Sequence, residues 1–357
     1  MRLAIVGAGP AGIYAADLMI KAERDFDISI DLFDLLPAPY GLVRYGVAPD
    51  HPRIKGIIRA LYEVLDRGDI RFFGNVKYGT DITLEELKQH YHAVIFATGA
   101  IKDAELNIPG VKLSGSFGAA DFVNWYDAHP DFPRIWDLSA KEIAVIGNCN
   151  VALDVARILA KQPGDMLATD IPENVYQGLL SSNATDVHVF GRRGPAQVKF
   201  SPLELREACH INGVDTIVYD EDFQYDEGSQ QAIDSNNQTR VMVKTLEDLR
   251  GQEPTGAAKR LHLHFFSSPV EVIGTDGKVS AFKIERTKLD GKGGVVGTGE
   301  YRSYPVQAVY RAVGYFGSEL AEIPFDSKYG VIRNEAGRVL DASGEQIPGV
   351  YATGWIK

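Results

Sequence analysis

The chain has 357 residues, of which 45% are hydrophobic, and this length favours two domains over a single core. Its formal net charge of −11 argues against nucleic acid as the main ligand, because binding to a phosphate backbone requires a basic surface. The two cysteines, Cys149 and Cys209, form no Cys-x-x-Cys pair, so we expect no disulfide framework, redox dithiol or metal site. They fit a reducing, cytoplasmic location, and no apolar run is long enough to predict a membrane span.

The first predicted elements are a buried parallel strand over residues 3–6 and a helix over residues 11–22, joined by a glycine turn. In such a turn Gly7 permits the tight bend, Gly9 lets the backbone approach a pyrophosphate, and Gly12 lets the helix pack closely on the strand. The pyrophosphate would then lie at the helix N-terminus. The residues predicted to contact this first dinucleotide are Gly7, Gly9, Pro10 and Ala11.

A carboxylate and a second turn support the first motif, which is weak evidence alone. Residues 29–34 predict the next strand, and Asp34 ends it about 20 residues beyond Gly12, where an acid that binds a ribose belongs. Residues 92–100 predict a further apolar strand that ends in an Ala-Thr-Gly turn with Thr98 and Gly99. This turn is common where flavoproteins with two dinucleotides leave the FAD domain. The combined pattern predicts a dinucleotide site rather than a loop that is glycine-rich by chance.

A second strand, turn and helix follow over residues 142–146, 147–152 and 153–160. Two such units in one chain imply two dinucleotides. Cys149 replaces the middle glycine, and its side chain would crowd the surface on which a pyrophosphate lies. We interpret Cys149 as a small buried apolar residue rather than a reactive thiol. The residues predicted to contact the second dinucleotide in this turn are Asn148, Asn150 and Val151.

Two adjacent arginines identify the second ligand. The predicted strand over residues 187–190 leads into Arg192 and Arg193, whose guanidinium groups suit a phosphate. An acid at this position selects NADH, whereas an arginine accommodates the 2′-phosphate of NADPH. The alternative is a solvated basic turn with ordinary surface ion pairs. The pattern favours NADPH.

The later part of the second domain carries no further nucleotide motif. Residues 261–266, 279–286 and 308–312 predict strands, which we interpret as the antiparallel part of this domain. Residues 220–239 are polar and acidic and predict a long surface excursion.

These features together resemble one family, the adrenodoxin-reductase-like, or mycobacterial-type, ferredoxin–NADP⁺ reductases. The stretches that carry the resemblance are residues 7–12, 36–52, 150–157, 191–195, 203–207 and 354–357. The stretch 36–52 is the most specific, because generic Rossmann proteins lack its Gly-Leu-Val-Arg-x-Gly-Val-Ala-Pro-Asp-His-Pro run. The resemblance implies hydride transfer from NADPH to FAD and then single-electron transfer to a ferredoxin-type iron–sulfur protein, with flavodoxin as the alternative acceptor.

The resemblance also implies roles for single residues. His51 is placed near the nicotinamide together with Glu207 and Asp154, although from the residues alone a surface histidine would fit equally well. Further positions that match FAD contacts are Leu42, Val47 and Trp355, and Glu204 matches a residue at the adenosine end of NADPH.

The predicted fold class is α/β, with two Rossmann-like dinucleotide-binding domains as in the glutathione reductase superfamily. The FAD domain is predicted over residues 1–102 and 322–357, and the NADPH domain over residues 103–321 is inserted in it. Family members continue beyond the position of Lys357 into a helix that faces the flavin, so we expect a C-terminally truncated chain that binds FAD more weakly than one with this helix.

Three other protein classes share part of this sequence pattern. Flavin monooxygenases also use paired glycine turns and NADPH, but their signature runs do not occur. Disulfide reductases share the architecture but need a Cys-x-x-Cys pair. A degenerate nucleotide-sensing module gains some support from Cys149.

Overall fold

The computed structural model describes residues 1–291 and 294–357, which divide into two compact units. Unit 1 contains Met1–Val47, His51–Ala104 and Gly314–Lys357, and unit 2 contains Ala48–Asp50 and Glu105–Val313. In chain order the second unit therefore interrupts the first. The assignment of residues 103–321 to an NADPH domain and of the remainder to an FAD domain stays a prediction.

The described residues form helices and strands throughout both units. The α-helices are α1 (Pro10–Lys21), α2 (Leu42–Tyr45), α3 (Pro52–Lys55), α4 (Ile57–Asp66), α5 (Leu84–His90), α6 (Ala119–Tyr126), α7 (Asn150–Ala160), α8 (Glu173–Leu180), α9 (Pro202–Cys209), α10 (Glu227–Ser235) and α11 (Asn237–Arg250). The strands are β1 (Arg2–Val6), β2 (Ser29–Phe33), β3 (Ile70–Phe73), β4 (Ala93–Phe96), β5 (Lys102–Asp103), β6 (Ser116–Gly118), β7 (Glu142–Ile146), β8 (Asp186–Phe190), β9 (Val214–Ile217), β10 (Lys259–His264), β11 (Ser267–Thr275), β12 (Lys278–Leu289), β13 (Val295–Tyr304), β14 (Ala308–Arg311), β15 (Tyr315–Phe316), β16 (Phe325–Asp326), β17 (Val331–Ile332), β18 (Asn334–Glu335), β19 (Arg338–Leu340) and β20 (Gln346–Ala352).

Unit 1 is built on a sheet with the strand order β18-β19-β20-β4-β1-β2-β3. The strands from β20 to β3 pair in parallel, and β18 to β20 pair antiparallel at one edge. Side chains alternate between the two faces of β1: Leu3 and Ile5 belong to the core that contains Ile13 of α1, and Ala4 and Val6 belong to the other core. The sheet is therefore covered on both faces, as expected of parallel strands.

Unit 2 contains a parallel sheet with the order β6-β14-β7-β8-β10-β9 and a separate antiparallel sheet, β11-β12-β13. The prediction that residues 261–266 and 308–312 form antiparallel strands was wrong, because β10 pairs in parallel with β8 and β14 pairs in parallel with β7. β10 alternates leucine and histidine, a pattern typical of an antiparallel strand with one solvated face, but in the structure Leu261 to His264 are all buried. The antiparallel interpretation holds for residues 279–286, which lie in β12.

The polar stretch at residues 220–239 is more ordered than predicted. It contains α10 and the start of α11, and the side chain of Asp226 caps α10 by accepting from Ser229 N at 2.7 Å. Met242 and Leu246 of α11 are buried in the core of unit 2, which anchors the segment. The segment lies largely at the surface, as predicted, but its polar composition gave no sign of the two helices, which their caps and one apolar helix face stabilise.

Three histidines lie together on the face of β8 and β10 that is opposite the main helical core of unit 2. His188 and His262 are register neighbours, and their rings stack with centroids 4.2 Å apart. His188 Nδ1 lies 3.0 Å from His264 Nε2, and His262 Nε2 lies 2.9 Å from Asp186 Oδ1. Tyr219 OH lies 2.8 Å from the other nitrogen of His262. These hydrogen bonds suit neutral imidazole rings.

Unit 2 is expected to lose stability in acid because of His262. Burial lowers the pKa of this histidine to about 4, and the neighbouring His188 adds to the effect. The unfolded chain, with an ordinary histidine pKa of about 6.5, binds more protons between these two values, so stability rises with pH across this window. We expect acidification from pH 7 to pH 5 to cost about 2 kcal/mol through this residue.

Urea unfolding at both pH values, followed by the fluorescence of Trp125 and Trp136 in unit 2, measures this loss. The variant His262→Gln should lose the part of the pH dependence that His262 contributes, whereas His188 and His264, whose pKa values burial also lowers, should keep theirs. If it keeps the dependence of the unsubstituted protein, His262 is not its source.

None of the helices in the described ranges, 1–291 and 294–357, has the length and hydropathy needed to span a lipid bilayer.

Candidate functional site

In the glycine turn of unit 1, the fold itself requires Gly7 and Gly12 but does not require Gly9. Gly7 has a φ of +109°, and a Cβ there would lie 2.4 Å from Ala97 O. At Gly12 a Cβ would lie 2.0 Å from Gly7 O, so both positions exclude any side chain for the fold itself. At Gly9 the nearest atom to such a Cβ is Gly41 Cα at 3.9 Å. The fold alone therefore leaves room at Gly9, which is the position expected to face a pyrophosphate.

The N-terminus of α1 follows this turn and begins at Pro10, with Gly9 as its N-cap. Within the described residues no side chain caps this end. The first backbone N–H groups of a helix have no intrahelical partner, and together with the helix dipole they attract an anion. Pro10 and Ala11 are thus placed where the sequence predicted them, at the start of the helix.

Asp34 lies directly after β2, and its carboxylate faces the turn. Ala8 N donates to Asp34 Oδ2 at 2.7 Å, and Leu36 N donates to Oδ1 at 2.9 Å. Burial raises the pKa of Asp34, and these two backbone donors oppose the rise. Each carboxylate oxygen has a further lone pair, which can accept from a ribose hydroxyl.

The family-specific segment packs on the same turn. Tyr40 N donates to Ala8 O at 2.8 Å, and a Cβ at Gly41 would lie 3.0 Å from Gly9 Cα. Leu42 begins α2 immediately afterwards, and Val47 is the last residue of this part of unit 1.

Three further predicted residues of unit 1, Thr98, Gly99 and Trp355, lie at or near this turn. A Cβ at Gly7 would lie 2.9 Å from Thr98 N, which places the Thr98–Gly99 turn beside it. Thr98 Oγ1 is buried and has no hydrogen-bond partner in the part of the chain that the structure describes. Gly354 packs against Ala11, so the adjoining Trp355, which is 64% exposed, also lies close to α1. The structure therefore brings Asp34, Thr98 and Gly99 together at the turn over residues 7–12, with Trp355 close to α1.

The corresponding turn of unit 2 joins β7 to α7, which begins at Asn150 with Cys149 as its N-cap. Asn150 Oδ1 accepts from Ser201 N at 2.8 Å, and Asn148 O accepts from Lys199 N at 3.0 Å. Val151 lies in the first turn of the helix. The turn is thus tied to the segment that leads into α9.

Cys149 packs inwards. Its Sγ atom lies 3.6 Å from Ala312 O, and its side chain contacts the main core of unit 2. Burial raises the pKa of the thiol, so the group is protonated at neutral pH. This environment fits the interpretation of Cys149 as a small buried apolar residue.

The two adjacent arginines occupy the turn after β8, and the antiparallel sheet holds their backbone. Thr287 Oγ1 of β12 donates to Arg192 O at 2.7 Å, and Phe266 N donates to Arg193 O at 3.1 Å. The Arg192 side chain is exposed. Arg193 Nε is buried and has no hydrogen-bond partner among the described residues. A buried guanidinium donor of this kind is suited to an anionic ligand.

Sequence reasoning missed a buried ionic network around Arg157 of α7, whose side chain is only 2% exposed. Its guanidinium donates to Asp50 Oδ2 at 2.7 Å and Oδ1 at 2.9 Å, to Asp154 Oδ1 at 2.9 Å and to Glu204 Oε2 at 3.3 Å. Glu207 Oε2 lies 3.8 Å away. The signal that could have revealed it is the pair Asp154 and Arg157, three residues apart in a largely apolar helix, because arginine is rarely buried without partners.

The residues predicted around the nicotinamide are divided between the units. Asp154 and Glu207 belong to unit 2, where both lie beside Arg157. Glu204, which was predicted at the adenosine end of NADPH, contacts the same arginine. His51 belongs to unit 1, is 3% exposed and is the N-cap of α3. The surface alternative for His51 is therefore wrong, and its role near the nicotinamide stays a prediction.

A cavity of about 580 Å³ in unit 2 borders the Arg157 network. Its lining includes Asp50, Lys161, Arg206, Glu207 and His210. The cavity thus exposes one side of the charged cluster to a ligand.

Two helix N-termini after glycine turns, each at the carboxyl end of a parallel sheet, define an oxidoreductase that binds two dinucleotides. The residues fit both ligands, because Gly9 leaves an open cradle and because Thr98 Oγ1 and Arg193 Nε are buried without partners among the described residues. The model for the family "Pyridine nucleotide-disulphide oxidoreductase" matches residues 1–175.

Comparison with known proteins narrows this class. The chain is 40% identical to the NADPH-ferredoxin reductase FprA of Mycobacterium tuberculosis, over 99% of this chain and 78% of the relative. It is 36% identical to the mitochondrial NADPH:adrenodoxin oxidoreductase of Homo sapiens, over 100% of this chain and 74% of the relative. The solved structure of M. tuberculosis FprA in complex with NADPH matches with a TM-score of 0.92 and 40% identity, and covers 100% of this chain and 79% of that one.

The chain belongs to the family of NADPH-ferredoxin and NADPH:adrenodoxin reductases. The resemblance inferred from the motifs is thereby confirmed, and so is the predicted α/β fold with two dinucleotide-binding domains.

Proposed function

We propose that this chain is a ferredoxin–NADP⁺ reductase, which takes a hydride from NADPH and delivers single electrons to a ferredoxin-type iron–sulfur protein. The observation that carries the proposal is the pair of dinucleotide turns, one in each unit, in a chain of this family. FAD, when bound, supplies the conversion between two-electron and one-electron chemistry.

The residues of unit 1 would hold FAD. Gly7, Gly9, Pro10 and Ala11 would present backbone to the pyrophosphate, and Asp34 would bind the ribose. The remaining FAD contacts that we propose are Leu42, Val47, Thr98, Gly99 and Trp355.

The residues of unit 2 would hold NADPH. Asn148, Asn150 and Val151 lie at the start of α7, where the pyrophosphate would bind. Arg192 and Arg193 would bind the 2′-phosphate through charge-assisted hydrogen bonds, which distinguish NADPH from NADH. Glu204 lies at Arg157 beside Asp154, so we propose that it acts on NADPH through this charged cluster.

His51, Glu207 and Asp154 would position the nicotinamide. Hydride transfer itself needs no acid or base, so the work of these groups is orientation and local electrostatics. We therefore expect replacement of His51 to slow flavin reduction modestly rather than to abolish it.

We also propose a cytoplasmic location. Cys149 and Cys209 are both free thiols, which suits a reducing compartment. Detection of the protein in the soluble fraction of lysed cells, separated from membranes and organelles, tests this location.

Anaerobic addition of NADPH to FAD-loaded protein tests the function. We expect the flavin absorbance near its visible maximum to bleach with NADPH and far more slowly with NADH. Subsequent addition of oxidised ferredoxin should restore the absorbance, and flavodoxin in its place tests the alternative acceptor. Absence of bleaching would contradict the reductase function, and equal rates with NADH would contradict the selectivity.

A further inference from the structure

Arg157 is the centre of the charged network of unit 2. Its guanidinium makes a two-point contact with Asp50 and single contacts with Asp154 and Glu204, at distances of 2.7 to 3.3 Å. The three carboxylates come from three parts of the chain: the Ala48–Asp50 segment, α7 and α9. One side chain therefore fixes the mutual positions of three separate segments.

Asp50 and Arg157 are both charged at neutral pH. Burial opposes the charge on Asp50, but hydrogen bonds from Arg157 and the charge of Lys161, whose Nζ lies 3.0 Å away, hold the pKa of Asp50 well below its ordinary value. In the same way, burial disfavours the charged guanidinium, but the surrounding carboxylates outweigh it and raise the pKa of Arg157. Three buried carboxylates thus surround two cations.

Stability alone does not account for this arrangement. Taking several charges out of water is costly, and well-packed apolar side chains of similar volume are often as stable as a buried ionic cluster. What an ionic cluster supplies, and apolar packing does not, is fixed charges in fixed positions.

We propose that Arg157 is a positioning residue for NADPH, because it holds three carboxylates of the second unit in one arrangement. This inference rests on the proposed function, in which Asp154 and Glu204 act on NADPH.

The test uses Arg157→Lys, which keeps the positive charge but cannot form the two-point contact with Asp50. Arg71→Lys is the control for the loss of a two-point contact, because Arg71, whose side chain is 59% exposed, makes such a contact with the buried Asp31 of unit 1, at 2.7 Å for both hydrogen bonds. Two quantities are measured on FAD-loaded protein: the Kd for NADP⁺ by calorimetry and the rate of flavin reduction by NADPH, both normalised to bound FAD.

We expect Arg157→Lys to weaken NADP⁺ binding and to slow flavin reduction, each by about tenfold, because small misplacements of a positioning group carry costs of this order or more. Arg71→Lys should change neither quantity. Asp50→Asn keeps the shape of the side chain and should shift both quantities in the same direction. It provides a second test of the contact in case the lysine variant misfolds.

Three outcomes are distinguishable. If the unsubstituted protein binds NADP⁺ and its flavin is reduced by NADPH, while both unit 2 variants behave like Arg71→Lys per bound FAD, the positioning role is overturned. If the variants lose only thermal stability, Arg157 is purely structural and the inference is again overturned. If NADPH does not reduce the flavin of the unsubstituted protein, the proposed function is contradicted. The positioning role of Arg157 is then judged from the Kd for NADP⁺ alone: weaker binding by both unit 2 variants supports it, and unchanged binding overturns it.

Discussion

Replacing Gly9 with alanine is expected to lower the affinity for FAD about a hundredfold, equivalent to about 2.7 kcal/mol. The backbone at Gly9 is extended, with φ −73° and ψ 179°, and a Cβ there would meet no atom nearer than 3.9 Å. Alanine therefore fits the protein without FAD. The added methyl group would instead occupy the space through which the backbone approaches the pyrophosphate. Fluorescence titration of FAD-free protein with FAD measures the loss.

Two other glycines provide the controls for this experiment. Gly164→Ala should leave FAD affinity unchanged, because a Cβ there has no atom within 4 Å among the described residues. Gly12→Ala should instead destabilise the FAD-free protein, since its Cβ would collide with Gly7 O at 2.0 Å. If Gly9→Ala binds FAD as tightly as the unsubstituted protein, the turn does not hold the pyrophosphate.

The double variant Arg192→Ala, Arg193→Ala is expected to reduce the preference for NADPH over NADH about a hundredfold. A hydrogen bond to a charged group contributes about 1.5–3 kcal/mol, so the loss of two such contacts to the 2′-phosphate costs at least about 3 kcal/mol, which makes a hundredfold the lower limit of the effect. Thr287 and Phe266 hold the turn through the arginine carbonyl groups, which alanine retains. The measured quantity is the ratio of kcat/KM for the two cofactors in flavin reduction.

NADH lacks the 2′-phosphate and serves as the internal control, so kcat/KM with NADH should stay unchanged. Arg59→Ala, at a side chain that is 89% exposed and lies 3.9 Å from Glu63, controls for the loss of a positive charge elsewhere. An equal fall with both cofactors would mean that the arginines act on structure rather than on selectivity. If the ratio of kcat/KM for NADPH and NADH is unchanged, the 2′-phosphate of NADPH does not bind at these arginines.

Much of the fold could be predicted because it depends on local patterns. The strand before Gly7, the turn and α1 each follow from neighbouring residues, and Asp34 follows from a fixed spacing. The parallel direction of β10 and β14 was missed, because β10 alternates leucine and histidine over residues 261–264, a pattern typical of an antiparallel strand with one solvated face. The helices at residues 220–239 were missed because a polar composition concealed their caps.

The candidate site likewise contains some features that the sequence predicted and others that only the structure revealed. The sequence by itself determined the two glycine turns, the family and the arginine pair, because glycine geometry and charge type act over a few residues. Only the tertiary structure decided that Asp50 and Arg157, which are 107 positions apart, form an ion pair, and that Glu204 joins them. Contacts of this kind depend on how distant segments pack, and no local pattern specifies that packing. The physical reason is that a buried charge is stable only beside its partners, and the fold chooses those partners.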